Sequence, residues 1–227
     1  AAVEGGEARI IHRQPDVVIH PQFHPRDPEI IEFATDPAPR MNLIRRDGTG
    51  RRCLYQHGTE EWLVHETWLA ETGDLVFTVW PKAIKRMRMP SGKIETIAEF
   101  NAWHICPSPD GQFILCDTNC PDNGIQLVEI ATGKRRTVCL SRSSNGGSQW
   151  PKGRVAVKKD FEDAARTAGS RVKDEMAWTD MKTDTVYGPQ WTHPHPAFSR
   201  SGRYATFTSD RTDDPQVYVV EIKTDSE

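Results

Sequence analysis

One phrase recurs four times along the chain, and it limits the fold more than any other feature. HPQFHPRDPEIIEF begins at His20, HETWLAETGDLVFTV at His65, HICPSPDGQFILCD at His104 and HPAFSRSGRYATFTSD at His195. Each copy opens on histidine. An aromatic stands three residues on in three copies (Phe23, Trp68, Phe198), and Pro107 takes that place in the remaining one. Turn chemistry follows at Arg26-Asp27-Pro28, Thr72-Gly73-Asp74, Asp110-Gly111 and Ser201-Gly202. Alternating strands are then predicted to begin at Ile30, Leu75, Ile114 and Ala205. Further hairpins turn at Asp47-Gly48, Pro90-Ser91-Gly92 and Thr132-Gly133, and QVYVVEIKTD supplies a last strand. Short period-two segments between glycine turns are the pattern of antiparallel sheet.

The opening histidines are 45, 39 and 91 residues apart. The first two steps match one four-stranded blade of roughly 40–50 residues. The third is twice as long and contains residues 141–189, which lack strand alternation and carry a short helical pattern around Phe161 to Ala168. The expectation is an all-β chain: a β-propeller domain over residues 1–227 with an insertion at 141–189. Strand pattern alone also permits a sandwich; the repeat favours the propeller. Four blades are the low end of the range of roughly 4–8, so an arc of a larger ring is expected.

Composition removes several function classes. Basic and acidic side chains number 29 and 32, which gives no electrostatic basis for nucleic-acid binding. No apolar run approaches the roughly 20 residues of a membrane-spanning helix, and the first residues have neither the basic nor the apolar region of a signal peptide. The five cysteines, Cys53, Cys106, Cys116, Cys120 and Cys139, form no CxxC pair, so a reduced, cytoplasmic protein is expected. Ser-His-Asp order, P-loop and GxGxxG are all missing, which leaves hydrolase and nucleotide-binding readings without an anchor.

The repeat also bears on chemistry. In a propeller each blade's first strand lines the channel, so a side chain at one repeat position recurs around the axis. The histidines at His20, His65, His104 and His195 are therefore expected to converge. A repeat-position histidine can equally be structural, bonded to a turn of its own blade. The stretch PQWTHPHPAF favours metal binding, because Gln190 and His193 stand just ahead of His195 and Pro194 can bend the path so that both imidazoles reach the channel mouth.

These segments, above all QWTHPHPAFS, together with HPQF before a Pro-Arg-Asp-Pro turn and an arginine ahead of DGTG, resemble the oligogalacturonate lyase family of bacterial pectin catabolism. The similarity spans most of the chain outside 141–189 and implies the later part of a seven-bladed propeller. It implies Mn²⁺, or another divalent ion that imidazole accepts, held by His104, Gln190, His193 and His195. It further implies His65 as the base and Arg40 as a catalytic and substrate-binding arginine, with Arg45 and Arg46 as alternatives. As the fourth ring member His20 could contact substrate, though a structural role is the simpler reading. The implied reaction is β-elimination on short, acidic galacturonate oligosaccharides, by a monomer with neither nucleic-acid nor membrane partners. Two rivals stand beside it: a non-enzymatic propeller binding module of the translocation-associated periplasmic type, and a lyase or isomerase for another uronate.

Other residues have plainer readings. His24 and His57 read as surface loop residues, and Lys82, Lys85, Arg86 and Arg88 as the solvated face of an outer strand. Trp62, Trp103 and Trp191 read as packing between blades before sugar stacking, and Asp210 with Arg211 as a turn-closing ion pair.

Overall fold

The computed structural model describes residues 5–15, 17–36, 38–58, 61–118, 121–143, 192–212 and 214–223. Gln190, Trp191, Cys120, the 161–168 helical pattern and most of the 141–189 segment lie outside the described residues. The chain divides into two compact units, Ala1–Glu61 and Trp62–Glu227.

The first unit holds one antiparallel sheet in sequential order: β1 (Val17–His24), β2 (Asp27–Asp36), β3 (Met41–Arg45) and β4 (Arg52–Cys53). The second holds three. Two are four-stranded: β5 (Trp62–Leu69), β6 (Asp74–Trp80), β7 (Ala83–Arg88) and β8 (Lys93–Ala98), then β9 (Ala102–Pro107), β10 (Phe113–Thr118), β11 (Ile125–Glu129) and β12 (Arg135–Cys139). The third is β13 (Ala197–Phe198), β14 (Tyr204–Thr212) and β15 (Asp214–Glu221). Every neighbour pair is antiparallel and consecutive in sequence, which is the up-and-down blade of a β-propeller. The predicted strand starts Ile30, Leu75, Ile114 and Ala205 fall in β2, β6, β10 and β14. Among the described residues no helix is long and apolar enough to cross a membrane, and Cys53, Cys106, Cys116 and Cys139 are free thiols.

Two layers of side chains bind the second unit's sheets face to face. Leu69, Val76, Ile84 and Ala98 meet Ala102, Ile114, Cys116 and Val128 in one; Leu115, Ile125 and Leu127 meet Ala205 and Phe207 in the other. A second strand covered on both faces need not alternate, and β6 (DLVFTVW) is buried at every position. Burying each large apolar side chain there contributes roughly 1.5–3 kcal/mol. Gly133 keeps the β11–β12 turn tight. It has φ +69°, and a Cβ there would stand 2.2 Å from the Ile97 carbonyl oxygen.

The structure corrects the reading of the basic run. Arg86 is 9% exposed, and its guanidinium is ion-paired to Asp74, itself 4% exposed. Alternation along β7 implied a solvated face, but β7 lies inside its sheet between β6 and β8, and Asp74 offsets the buried charge. Arg211 likewise serves a different purpose: its guanidinium donates to the carbonyls of Leu140 and Ser141 and lies over the Tyr218 ring. His57 is a structural acceptor, since its Nε2 takes the Arg40 backbone N–H at 2.9 Å.

Candidate functional site

Each repeat histidine lies within or just ahead of the first strand of its sheet: His20 in β1, His65 in β5, His104 in β9, and His195 just before β13. The β1–β2 register shifts between Ile19 and Gln22, and the β5–β6 register between Val64 and Thr67. His20 and His65 sit in those bulges with φ of 53° and 56°, and His195 has φ 45°. A left-handed conformation costs a non-glycine residue about 1–2 kcal/mol. Its recurrence at one repeat position shows that the kink is built into the repeat. His104 lies outside the left-handed region and is fixed differently, as follows.

Asp117, in β10, is fully buried. Its carboxylate accepts the backbone N–H of His104 at 2.7 Å and the backbone N–H of His195 at 2.9 Å. Its Oδ2 also lies 2.8 Å from His104 Nδ1. One side chain thus ties the third blade's first strand to the stretch that enters the fourth. On that stretch Pro194 is buried, and its carbonyl accepts the Thr208 N–H at 2.8 Å, so His193 and His195 flank an anchored proline.

The four imidazoles of this unit meet around His104. Its ring centroid is 4.3 Å from that of His65, 5.0 Å from His193 and 4.0 Å from His195. His104 is buried, His65 and His193 are half-buried and His195 is exposed, so the cluster opens to solvent on the His195 side. Trp103 forms its wall: the indole stands edge-on to His65 at 4.7 Å and packs edge-to-face against Trp62 and Trp80. Packing is therefore what Trp62 and Trp103 do.

Electrostatics keep His193 neutral. Burial drives the His193 pKa down to about 3, helped by the neighbouring rings of His104 and His195 and opposed by Asp117. Burial pushes Asp117 up to about 6, against the N–H bonds from His195 and His104 and the attraction of His193 and His195. A neutral imidazole can ligate a divalent ion or accept a proton.

His20 and Arg40 pair in the first unit. The Arg40 guanidinium donates to His20 Nδ1 at 3.3 Å; Arg40 is 4% exposed, whereas His20 is exposed. Arg46 is held by Glu29 at 2.7 Å. Of the seven predicted site residues, His65, His104, His193 and His195 are brought together, His20 and Arg40 form their own pair, and Gln190 lies outside the described residues. Asp117 went unforeseen. The position thirteen residues after the opening histidine is Thr78, Asp117 and Thr208 in successive copies, and that lone carboxylate was the available signal.

Comparison with known proteins agrees with the repeat. The oligogalacturonide lyase of Pectobacterium atrosepticum is 20% identical over 244 residues, covering 96% of this chain and 53% of the relative. The resemblance is to the oligogalacturonate lyases. An oligogalacturonate lyase solved in complex with manganese matches with TM-score 0.69 at 19% identity, covering 96% of this chain and 52% of that one. The oligogalacturonate lyase of Vibrio parahaemolyticus matches with TM-score 0.65 at 18% identity, covering 97% and 53%. This chain therefore spans about half the length of the oligogalacturonate lyases it matches. No protein-family model matches it. The structural likeness to oligogalacturonate lyases, with the blade topology, shows a β-propeller fold.

Proposed function

We propose that this chain carries the catalytic sector of a metal-assisted lyase that breaks short galacturonate oligosaccharides by β-elimination. The observation that carries the reading is the convergence of His65, His104, His193 and His195 from three successive blades, in a chain that resembles oligogalacturonate lyases.

The donor chemistry fits a divalent ion such as Mn²⁺. Among the described residues no group of three or more His, Cys, Asp or Glu side chains is spaced to hold a metal ion. The imidazoles are nevertheless gathered, His193 stays neutral, and Asp117 at His104 Nδ1 favours the tautomer whose lone pair is on Nε2. His104, His193 and His195 would hold the ion with Gln190. Bound there, a divalent ion would act as a Lewis acid toward the substrate's carboxylate.

His65 is the proposed base. Its Nδ1 is buried, so Nε2 is the nitrogen that can meet a substrate proton. It takes the hydrogen from C5, the C5–H electrons form the C4=C5 double bond, and the C4–O bond breaks. The departing oxygen takes a proton from solvent, His65 returns its own to solvent, and the unsaturated uronate leaves. No water is consumed. Trp103 shields one side of His65 and limits the ring's rotation. Arg40 is proposed as a substrate contact on the strength of the resemblance, and His20 from its repeat position and its pairing with Arg40.

The test is ultraviolet absorbance of the conjugated product from digalacturonate, with EDTA and after Mn²⁺ is restored. Turnover that EDTA abolishes and Mn²⁺ recovers is expected. Turnover indifferent to EDTA removes the metal from the proposal, and no elimination on any galacturonate oligomer removes the function. His65→Ala should lower kcat by about 10²–10⁴-fold and retain the ion.

A further inference from the structure

We propose that Asp117 is the positioning residue of this centre: its carboxylate holds His104 as the Nδ1–H tautomer, so that the ring's lone pair lies on Nε2, and it fixes His195 from the next blade through that residue's backbone N–H. The role toward a metal rests on the function proposed above; the role toward the tautomer does not.

Comparison between blades separates this role from a structural one. Thr78 occupies the same repeat position one blade earlier, and its hydroxyl donates to the carbonyl of Val64 at 2.9 Å in its own blade and to that of Trp103 at 3.4 Å in the next. Asp117 makes the same cross-blade tie with the polarity reversed, accepting N–H groups from His104 and His195. A threonine hydroxyl therefore suffices to join adjacent blades. A buried carboxylate, which is costly to desolvate, adds a strong acceptor for an imidazole N–H. At Asp117 that acceptor stands 2.8 Å from His104 Nδ1. Such carboxylate–histidine pairs set the tautomer and orientation of a ligating ring, and losing one typically lowers metal affinity about 10–100-fold.

Long-range ¹H–¹⁵N correlation spectra of the metal-free protein labelled at histidine read the tautomer directly. Wild type should show His104 protonated at Nδ1; an Nε2–H form overturns the proposal without any variant. Asp117→Asn and Asp117→Thr should both disturb that tautomer. They should also weaken Mn²⁺ binding about 10–100-fold by electron paramagnetic titration. A variant that lowers the unfolding midpoint but leaves the His104 tautomer and Mn²⁺ affinity unchanged makes Asp117 purely structural and overturns the proposal. If wild type binds no Mn²⁺ while its His104 signals still respond to Asp117 substitution, the metal reading fails and the positioning role stands.

Discussion

Replacing Asp74 with alanine offers a quantitative test of how the second unit is held together. Asp74 accepts hydrogen bonds from Arg86 Nε at 2.7 Å, from Arg86 Nη2 and from the Met89 backbone N–H at 2.8 Å. The side chains of Arg86 and Asp74 are only 11% and 5% exposed. Removing the carboxylate leaves a guanidinium in a site with little access to water, a loss of about 3–5 kcal/mol for a buried pair. The Arg86 head keeps some solvent, so the low end, about 3 kcal/mol, is expected. Arg88, 3.5 Å away and 43% exposed, adds little. For a unit of this size the unfolding midpoint should fall by about 6–12 °C, read by circular dichroism and by urea titration. Asp74→Leu with Arg86→Met should recover to within about 1 kcal/mol of wild type, because exchanging a whole buried pair for apolar groups is often neutral. A loss below about 1 kcal/mol in Asp74→Ala would refute the argument. The pH dependence follows the same pair. Burial pushes the Asp74 pKa up, but the Met89 N–H and Arg86 outweigh it and the group lies below its ordinary value. Its stabilisation is therefore fully present above the unfolded carboxylate pKa of about 3.9 and is lost as pH falls through the lower folded value. The gap between wild type and Asp74→Ala should close in acid.

Gly133→Ala should cost about 3 kcal/mol by urea titration, since it combines a left-handed backbone with a contact on the Ile97 carbonyl, whereas Gly92→Ala, at φ +73° with nothing within 4 Å, should cost only about 1 kcal/mol. His65→Gly should be more stable than His65→Ala by about 1 kcal/mol, because only glycine meets φ 56° without strain; the opposite order would remove the strain argument. His193→Ala should lose most of the bound divalent ion by elemental analysis, and undiminished metal content would move the ligands elsewhere.

The blade pattern was legible because alternation and glycine turns are local. Leu75, Ile114 and Ala205 are the second residues of strands that start just after Gly73, Gly111 and Gly202, all at positive φ. The meeting of His65, His104 and His195 was legible too, since a repeat position fixes a place in the blade. Asp117 escaped because it sits inside a strand, where one acidic residue reads as ordinary alternation and its bonds reach residues 13 and 78 positions away. Arg86 was misread for a related reason: alternation tells inside from outside only when one face of a strand meets water. Both corrections concern buried charges, whose placement depends on partners that sequence spacing does not name.

The left-handed kink shared by His20, His65 and His195 has a consequence for how such a molecule can change. Because the main chain already bends at the same point in three sectors, chemistry can be moved from one sector to another by exchanging side chains, with no loop to remodel. Laboratory redesign can use this directly: a different side chain at His20 would be presented from a bend that the main chain already makes.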